Sequence, residues 1–163
     1  MTLDDYILKQ YTCCFTGHRK LPQKKIQHII KRLSDEIDRL ISQGVTDYIS
    51  GGAVGFDLIA ASMIIAKKEM GAKIRLVFAL PCRNQDEYWW EKGKDLYRSL
   101  LSEADEVRYI SEEYNSNCMK TRNHYMVDNS DYCICALISR VSGTAQTVRY
   151  AKQKGLQIIN IGK

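Results

Sequence analysis

The sequence lacks most of the patterns that announce a chemistry outright. Its six cysteines, Cys13, Cys14, Cys82, Cys118, Cys133 and Cys135, contain no Cys-x-x-Cys pair and no histidine partner at metal-ligand spacing. No metal is expected, and the thiols read as reduced. Cys133 and Cys135 alternate within the apolar run Tyr132 to Leu137, and Cys13 and Cys14 sit in another, so they read as small buried hydrophobes. No Ser-His-Asp or Cys-His arrangement follows from the spacing. No apolar run is long enough to span a bilayer, and Met1 to Gln10 is polar and acidic at Asp4 and Asp5, without a basic segment leading into an apolar one. The expectation is a cytoplasmic protein with no membrane partner. No repeat, low-complexity stretch or internal linker interrupts the chain.

What remains is an ordinary globular composition. The 163 residues predict one domain, 1–163, with 1–10 as an N-terminal extension. Hydrophobic residues make up 45% and charged ones 26%, which argues against disorder. The net charge of +5 is spread along the chain, and suits an anionic small ligand or a weak nucleic-acid surface without selecting either.

Periodicity gives a regular alternation. Tyr11 to Thr16 reads as a buried strand, ended by Gly17. Ile26, Ile29, Ile30, Leu33, Ile37, Leu40 and Ile41 recur at helical spacing until Gly44. Thr46 to Ser50 reads as a strand, Leu58 to Lys68 as a helix apolar on most faces, and Lys73 to Leu80 as a strand ending at Pro81. A helix follows over Gln85 to Leu101, with Trp89, Leu96 and Leu100 on one stripe. Glu106 to Ile110 is a strand, Asn115 to Asn129 helical, Asp131 to Leu137 a strand, Thr144 to Lys154 helical and Gln157 to Ile161 a last strand. Strand alternating with helix predicts an α/β fold, Rossmann-like and doubly wound, with a mainly parallel sheet and helices on both faces.

Ligands of such sheets bind beyond the carboxyl ends of the strands. The turns expected there are Thr16-Gly17-His18-Arg19, Ser50-Gly51-Gly52-Ala53-Val54-Gly55-Phe56-Asp57, Pro81-Cys82-Arg83 and Val141-Ser142-Gly143-Thr144. The second reads as an anion cradle: glycines admit close approach to a phosphate, and the first N–H groups of the following helix point at it. The same glycines also serve turns by geometry alone. The phosphate is placed over Gly51, Gly52, Ala53 and Gly55, with Gly143 and Thr144 opposite, and Gly52→Val is expected to abolish binding while the domain stays folded. Arg19 is the better phosphate partner beside His18, because its planar fork matches phosphate oxygens. Arg122, on one helical face with Met119 and Met126, needs an anionic partner there, either a ligand phosphate or a buried Asp. Asp57 either caps its helix or holds ribose hydroxyls.

These residues carry a resemblance. The first two turns, the Trp89 helix, Arg122-Asn123 with Tyr125-Met126-Val127-Asp128, and Gly143-Thr144 with Thr147-Val148-Arg149-Tyr150-Ala151 are similar to the YpsA-like bacterial family. That family belongs to the SLOG superfamily, with the DNA-processing protein DprA and the LOG-type phosphoribohydrolases. The resemblance implies a Rossmann-like sheet that binds a nucleotide or nucleotide-derived ligand, and association as a homodimer. The dimer is also expected because the apolar content of Leu58 to Ala66 exceeds the needs of one helix face. LOG enzymes cleave a base from a nucleoside monophosphate with an Arg on a helix MxxRKxxM and a Glu in PGGxGTxxE. Here Arg122 fills the first position and Thr147 stands at the second, where it cannot serve as general acid or base near neutral pH.

The ligand-binding set read from sequence and resemblance is therefore Gly17, His18, Arg19, Ser50, Gly51, Gly52, Ala53, Gly55, Asp57, Pro81, Arg122, Asn123, Ser142, Gly143, Thr144 and Thr147. Asp57 and Arg122 are the candidates for catalysis, should there be any. Three functions stand open: a nucleotide-binding sensor or carrier, which is favoured; a phosphoribohydrolase-like enzyme acting at the N-glycosidic bond; and a DprA-like single-strand DNA binder, nucleic acid being the less favoured partner.

Overall fold

Every strand of the sheet pairs in parallel with its neighbours, and consecutive strands are joined through helices. The computed structural model describes residues 11–163, and the proposed extension over residues 1–10 lies outside them. The elements are β1 (Thr12–Gly17), α1 (Gln23–Ser42), β2 (Asp47–Ser50), α2 (Phe56–Glu69), β3 (Arg75–Leu80), α3 (Glu91–Glu103), β4 (Glu106–Tyr109), α4 (Cys118–Asp128), β5 (Tyr132–Ala136), α5 (Gly143–Gln153) and β6 (Gln157–Asn160). The strands lie in the order β4-β3-β2-β1-β5-β6. Cys14 on β1 stands opposite Ile49 on β2 and Cys133 on β5.

Alternation along the strands divides the core in two. Phe15, Tyr48, Leu76, Phe78 and Ile134 point to one face, where α1, α2 and α3 pack. The other face is built of small side chains, Cys14, Val77, Ala79, Cys133 and Cys135, under Met126 and Val127 of α4 and Val148 and Ala151 of α5. The doubly wound arrangement expected from the alternation is thus what the chain adopts. On α1 the buried residues Ile29, Leu33, Ile37 and Leu40 follow the predicted spacing, each contributing about 1.5–3 kcal/mol when fully buried. Gly44, at φ +91°, ends the segment after it.

Three expectations change. The apolar surplus of α2 is absorbed within the chain: Ile59 and Met63 pack on the same core as Ile64 and Ile65, and the helix lies against both α1 and α3. Its composition therefore needs no second copy to explain it. Second, α3 begins at Glu91, not Gln85. Gln85 is held in the preceding turn, donating to the Gly52 carbonyl at 3.3 Å, and Trp90 is extended, at ψ 158°. The inward stripe becomes Gly93, Tyr97 and Leu100, and Leu96 is exposed. Trp89 packs edge-on to Tyr97, ring centroids 5.0 Å apart, while Trp90 is 63% exposed. Third, α4 starts at Cys118, because Asn115 Oδ1 accepts the Asn117 N–H at 3.0 Å and holds a turn in front of it.

Candidate functional site

The strand order reverses at β1. From there the chain builds outward through β2, β3 and β4, and then crosses to place β5 on the other side of β1. The connections leaving β1 and β5 consequently run to opposite faces of the sheet, the position where open α/β sheets form a crevice. A cleft of ≈ 270 Å³ opens there. Of the predicted residues, Gly17, His18, Arg19, Ala53, Asp57, Arg122, Asn123, Ser142, Gly143 and Thr144 line it. Ser50, Gly51, Gly52, Gly55, Pro81 and Thr147 do not.

The glycine-rich turn is largely occupied with itself. Ser50 Oγ donates to the Asp57 carbonyl at 2.8 Å and accepts the Gly52 N–H at 3.2 Å. The Ala53 N–H goes to Asp57 Oδ2 at 3.2 Å, and that of Phe56 to the His18 carbonyl at 3.2 Å. The Gly52 and Ala53 N–H groups, two of the donors expected to face a phosphate over this turn, are thus engaged, and Gly52 and Gly55 serve shape. Gly52 sits at φ +71°, with the place of a Cβ 2.5 Å from Leu80 Cδ2; at Gly55, φ +88°, a Cβ would be 2.2 Å from the Arg19 carbonyl oxygen. Gly52→Val would therefore disturb the fold itself, contrary to the expectation from sequence.

The start of α5 is different. Ser142 Oγ takes the Ala145 N–H at 3.1 Å and the Ser142 carbonyl takes that of Gln146. The N–H groups of Gly143 and Thr144 have no acceptor among the described residues, and both residues line the cleft. A helix N-terminus with free donors favours an anion. Thr147, the position of the LOG glutamate, faces away from the cleft, its Oγ1 donating to the Gly143 carbonyl at 2.9 Å. Pro81, at the end of β3, is likewise remote, its carbonyl accepting the Ser111 N–H at 3.1 Å.

Arg122 is only 4% exposed. Its partners are carbonyls and an amide: Nη1 donates to Gly51 O and, at 3.5 Å, to Ala79 O, and Nε to Asn123 Oδ1 at 2.8 Å. Nη2 has only the Met119 sulfur, 3.7 Å away, so this edge of a buried cation still lacks an oxygen partner. Burial pulls its pKa down, opposed by the charge of Asp57. Asp57, 6% exposed, lies across Gly51 from it. Burial pushes the Asp57 carboxyl up to about 6, against the lowering effects of Arg122, the Ala53 N–H and Arg19. Asp57 is the one carboxylate among the lining residues, facing two arginines.

His18 lines the cleft but does not offer Nε2 to a ligand. That nitrogen accepts the N–H groups of Ile138 and Ser139, at 3.0 and 3.2 Å, and so clamps the loop between β5 and α5. Burial lowers its pKa, which suits an acceptor role. Phe15, Thr16, Met119 and Met126 also line the cleft and were not in the predicted set. A signal for the methionines was present, since they share a helical face with Arg122.

Comparison with known proteins agrees with this architecture. A family model described as the YspA SLOG family (YpsA) matches residues 13–158. The SPbeta prophage-derived protein YoqJ of Bacillus subtilis is 28% identical over 139 residues, 75% of this chain and 81% of that protein. The UPF0398 protein BH1768 of Halalkalibacterium halodurans is 31% identical over 108 residues, 65% of this chain and 57% of the relative. Two solved structures of DNA processing protein A share the fold. That from Helicobacter pylori, described for its single-stranded DNA binding mode, has a TM-score of 0.65 at 19% identity, covering 96% of this chain and 67% of its own. That from Streptococcus pneumoniae has a TM-score of 0.66 at 16% identity, covering 96% of this chain and 51% of its own. This chain thus spans little more than half the length of BH1768 and of the Streptococcus protein.

Proposed function

This chain belongs to the YspA SLOG family, and on that premise we propose that it is a nucleotide-binding protein, a sensor or carrier, whose ligand phosphate sits at the N-terminus of α5. The observation that carries this reading is the meeting, in one cleft, of two free helix N–H groups with the Arg19 guanidinium and the edge of Arg122 whose partner is the Met119 sulfur alone. Fixed donors and planar cations match phosphate oxygens. Asp57 would be repelled by phosphate and is suited to accepting from ribose hydroxyls or a base N–H. Arg19→Ala and Gly143→Leu test it. Nothing stands within 4 Å of a Cβ on Gly143, so a leucine obstructs the seat without crowding the fold. Calorimetry with nucleoside monophosphates should show affinity reduced at least about tenfold in each variant, with unchanged thermal midpoints. Unchanged affinity in both would remove the phosphate from this seat.

One observation favours a second reading, cleavage at the N-glycosidic bond. A buried carboxyl whose pKa is about 6 is poised for acid–base work near neutral pH. Base release from nucleoside monophosphates, followed by chromatography, would then be fast and would be lost in Asp57→Asn. Slow release by both proteins supports the binding module. The likeness to DNA processing protein A makes a single-stranded oligonucleotide the necessary competitor in the calorimetry. Action in the cytoplasm is supported by six buried free cysteines, and no helix among the described residues is long and apolar enough to cross a membrane. A homodimer is a separate proposal drawn from the resemblance, read by sedimentation at micromolar concentration.

A further inference from the structure

The cleft does not end the site. A groove of ≈ 700 Å³ runs between α4 and α5 and shares Met119, Asn123 and Gly143 with the cleft, so the two are continuous. Its end at the cleft is bare on the α5 side: Gly143 has no side chain, and Thr147 turns its hydroxyl back onto its own helix. Its charge is of one sign. Lys120 and Arg149 line it, both exposed, and no carboxylate does. Asp128, on the same helix as Lys120, is engaged by the Tyr150 hydroxyl at 2.7 Å, and Tyr150 is fixed by stacking on His124, centroids 3.8 Å apart and planes 6° from parallel.

Size decides what the cleft can hold alone. At ≈ 270 Å³ it lies just under the range of about 300–1,000 Å³ usual for ligand sites, and with the ≈ 700 Å³ groove it comes within it, near the upper end. The geometry points to a two-part site: one phosphate of the ligand at the start of α5, and a second, phosphodiester-linked group in the α4–α5 groove against Lys120 and Arg149. The ligand class is then a dinucleotide, not a mononucleotide. This rests on the nucleotide reading of the cleft, and narrows it.

The test is calorimetry on the full chain with three probes: adenosine 5′-monophosphate, the linear dinucleotide pApA, and a twelve-residue deoxyadenosine oligonucleotide. The dinucleotide should bind about tenfold tighter than the monophosphate, through charge-assisted bonds to the second phosphate. That advantage should shrink with added salt, because both cations are exposed. The Lys120→Glu/Arg149→Glu double variant should lose it while keeping its monophosphate affinity, which also certifies the fold. Equal affinity for the two nucleotides, or an advantage that survives the double substitution, overturns the two-part site while leaving the nucleotide reading standing. An oligonucleotide bound far more tightly than pApA overturns it in favour of a strand-binding track. No binding of either nucleotide removes both readings together.

Discussion

Asp57 is where use and stability pull apart. Its carboxyl titrates at about 6 in the folded chain against 3.8 as a free group, so between those values the folded state holds the extra proton. Stability then falls as pH rises through that window, and the cost is complete above about pH 6. A shift of this size corresponds to something on the order of 3 kcal/mol. Asp57→Asn keeps an acceptor for the Ala53 N–H and removes the buried charge. We expect its thermal midpoint to exceed that of the unmodified protein at pH 7.5 and to match it near pH 4, while nucleotide affinity falls. A midpoint unchanged at pH 7.5 would mean that Arg122 and Arg19 fully compensate the burial. His18 has the opposite sign. Its pKa lies below 6.5, so its contribution is present above 6.5 and is lost as pH falls through the folded value. Protonation of Nε2 would evict two N–H donors, and amide exchange at Ile138 and Ser139 should accelerate on acidification before that of the sheet. A uniform response across the chain would show that the clamp is not separable from the fold.

Two neighbouring elements show why a motif can be found and yet misread. The Ser50 to Asp57 turn was legible as a glycine-rich strand-to-helix connection, because that much is local. Whether its donors face a ligand depends on Ser50, Asp57 and His18 consuming them, and on Arg122 arriving from α4 to take the Gly51 carbonyl. No spacing within the turn contains that information. The plainer Val141 to Thr144 turn leaves its first donors free. Gly52→Val and Gly143→Leu should therefore behave as opposites. The first forces a β-branched residue to positive φ against Leu80, costing roughly 1–3 kcal/mol or more in urea unfolding, and the second should leave the urea midpoint where it was. Equal midpoints would contradict the packing at Gly52. The late start of α3 was missed for a similar reason. Trp89 and Leu100 fit a helical period, but the tertiary bond from Gln85 to Gly52 keeps the preceding residues out of the helix.

At the scale of the whole molecule, the alternation of strand and helix was plain because each element carries its own period. The strand order was not, since it is set by pairings between distant segments. That order chooses the site. It places β5 beside β1, so that the turns after these two strands meet in the cleft together with Ala53 and Asp57 from the turn after β2, while the turn after β3 stays outside it. The small face of the sheet has a further use. All six thiols are buried, and burial at Cys13, and the hydrogen bond with Cys14 together with burial at Cys133, raise their pKa well above the usual thiol value, so alkylating reagents can reach them only through opening. The chain is thereby its own clock of conformational excursions. Peptide mass spectrometry after timed alkylation should find Cys82 and Cys118, off the sheet and within electrostatic reach of Arg122, labelled ahead of Cys14, Cys133 and Cys135 in the sheet. Saturating nucleotide should slow the first pair more than the others, separating breathing of the site from unfolding of the molecule without any introduced probe.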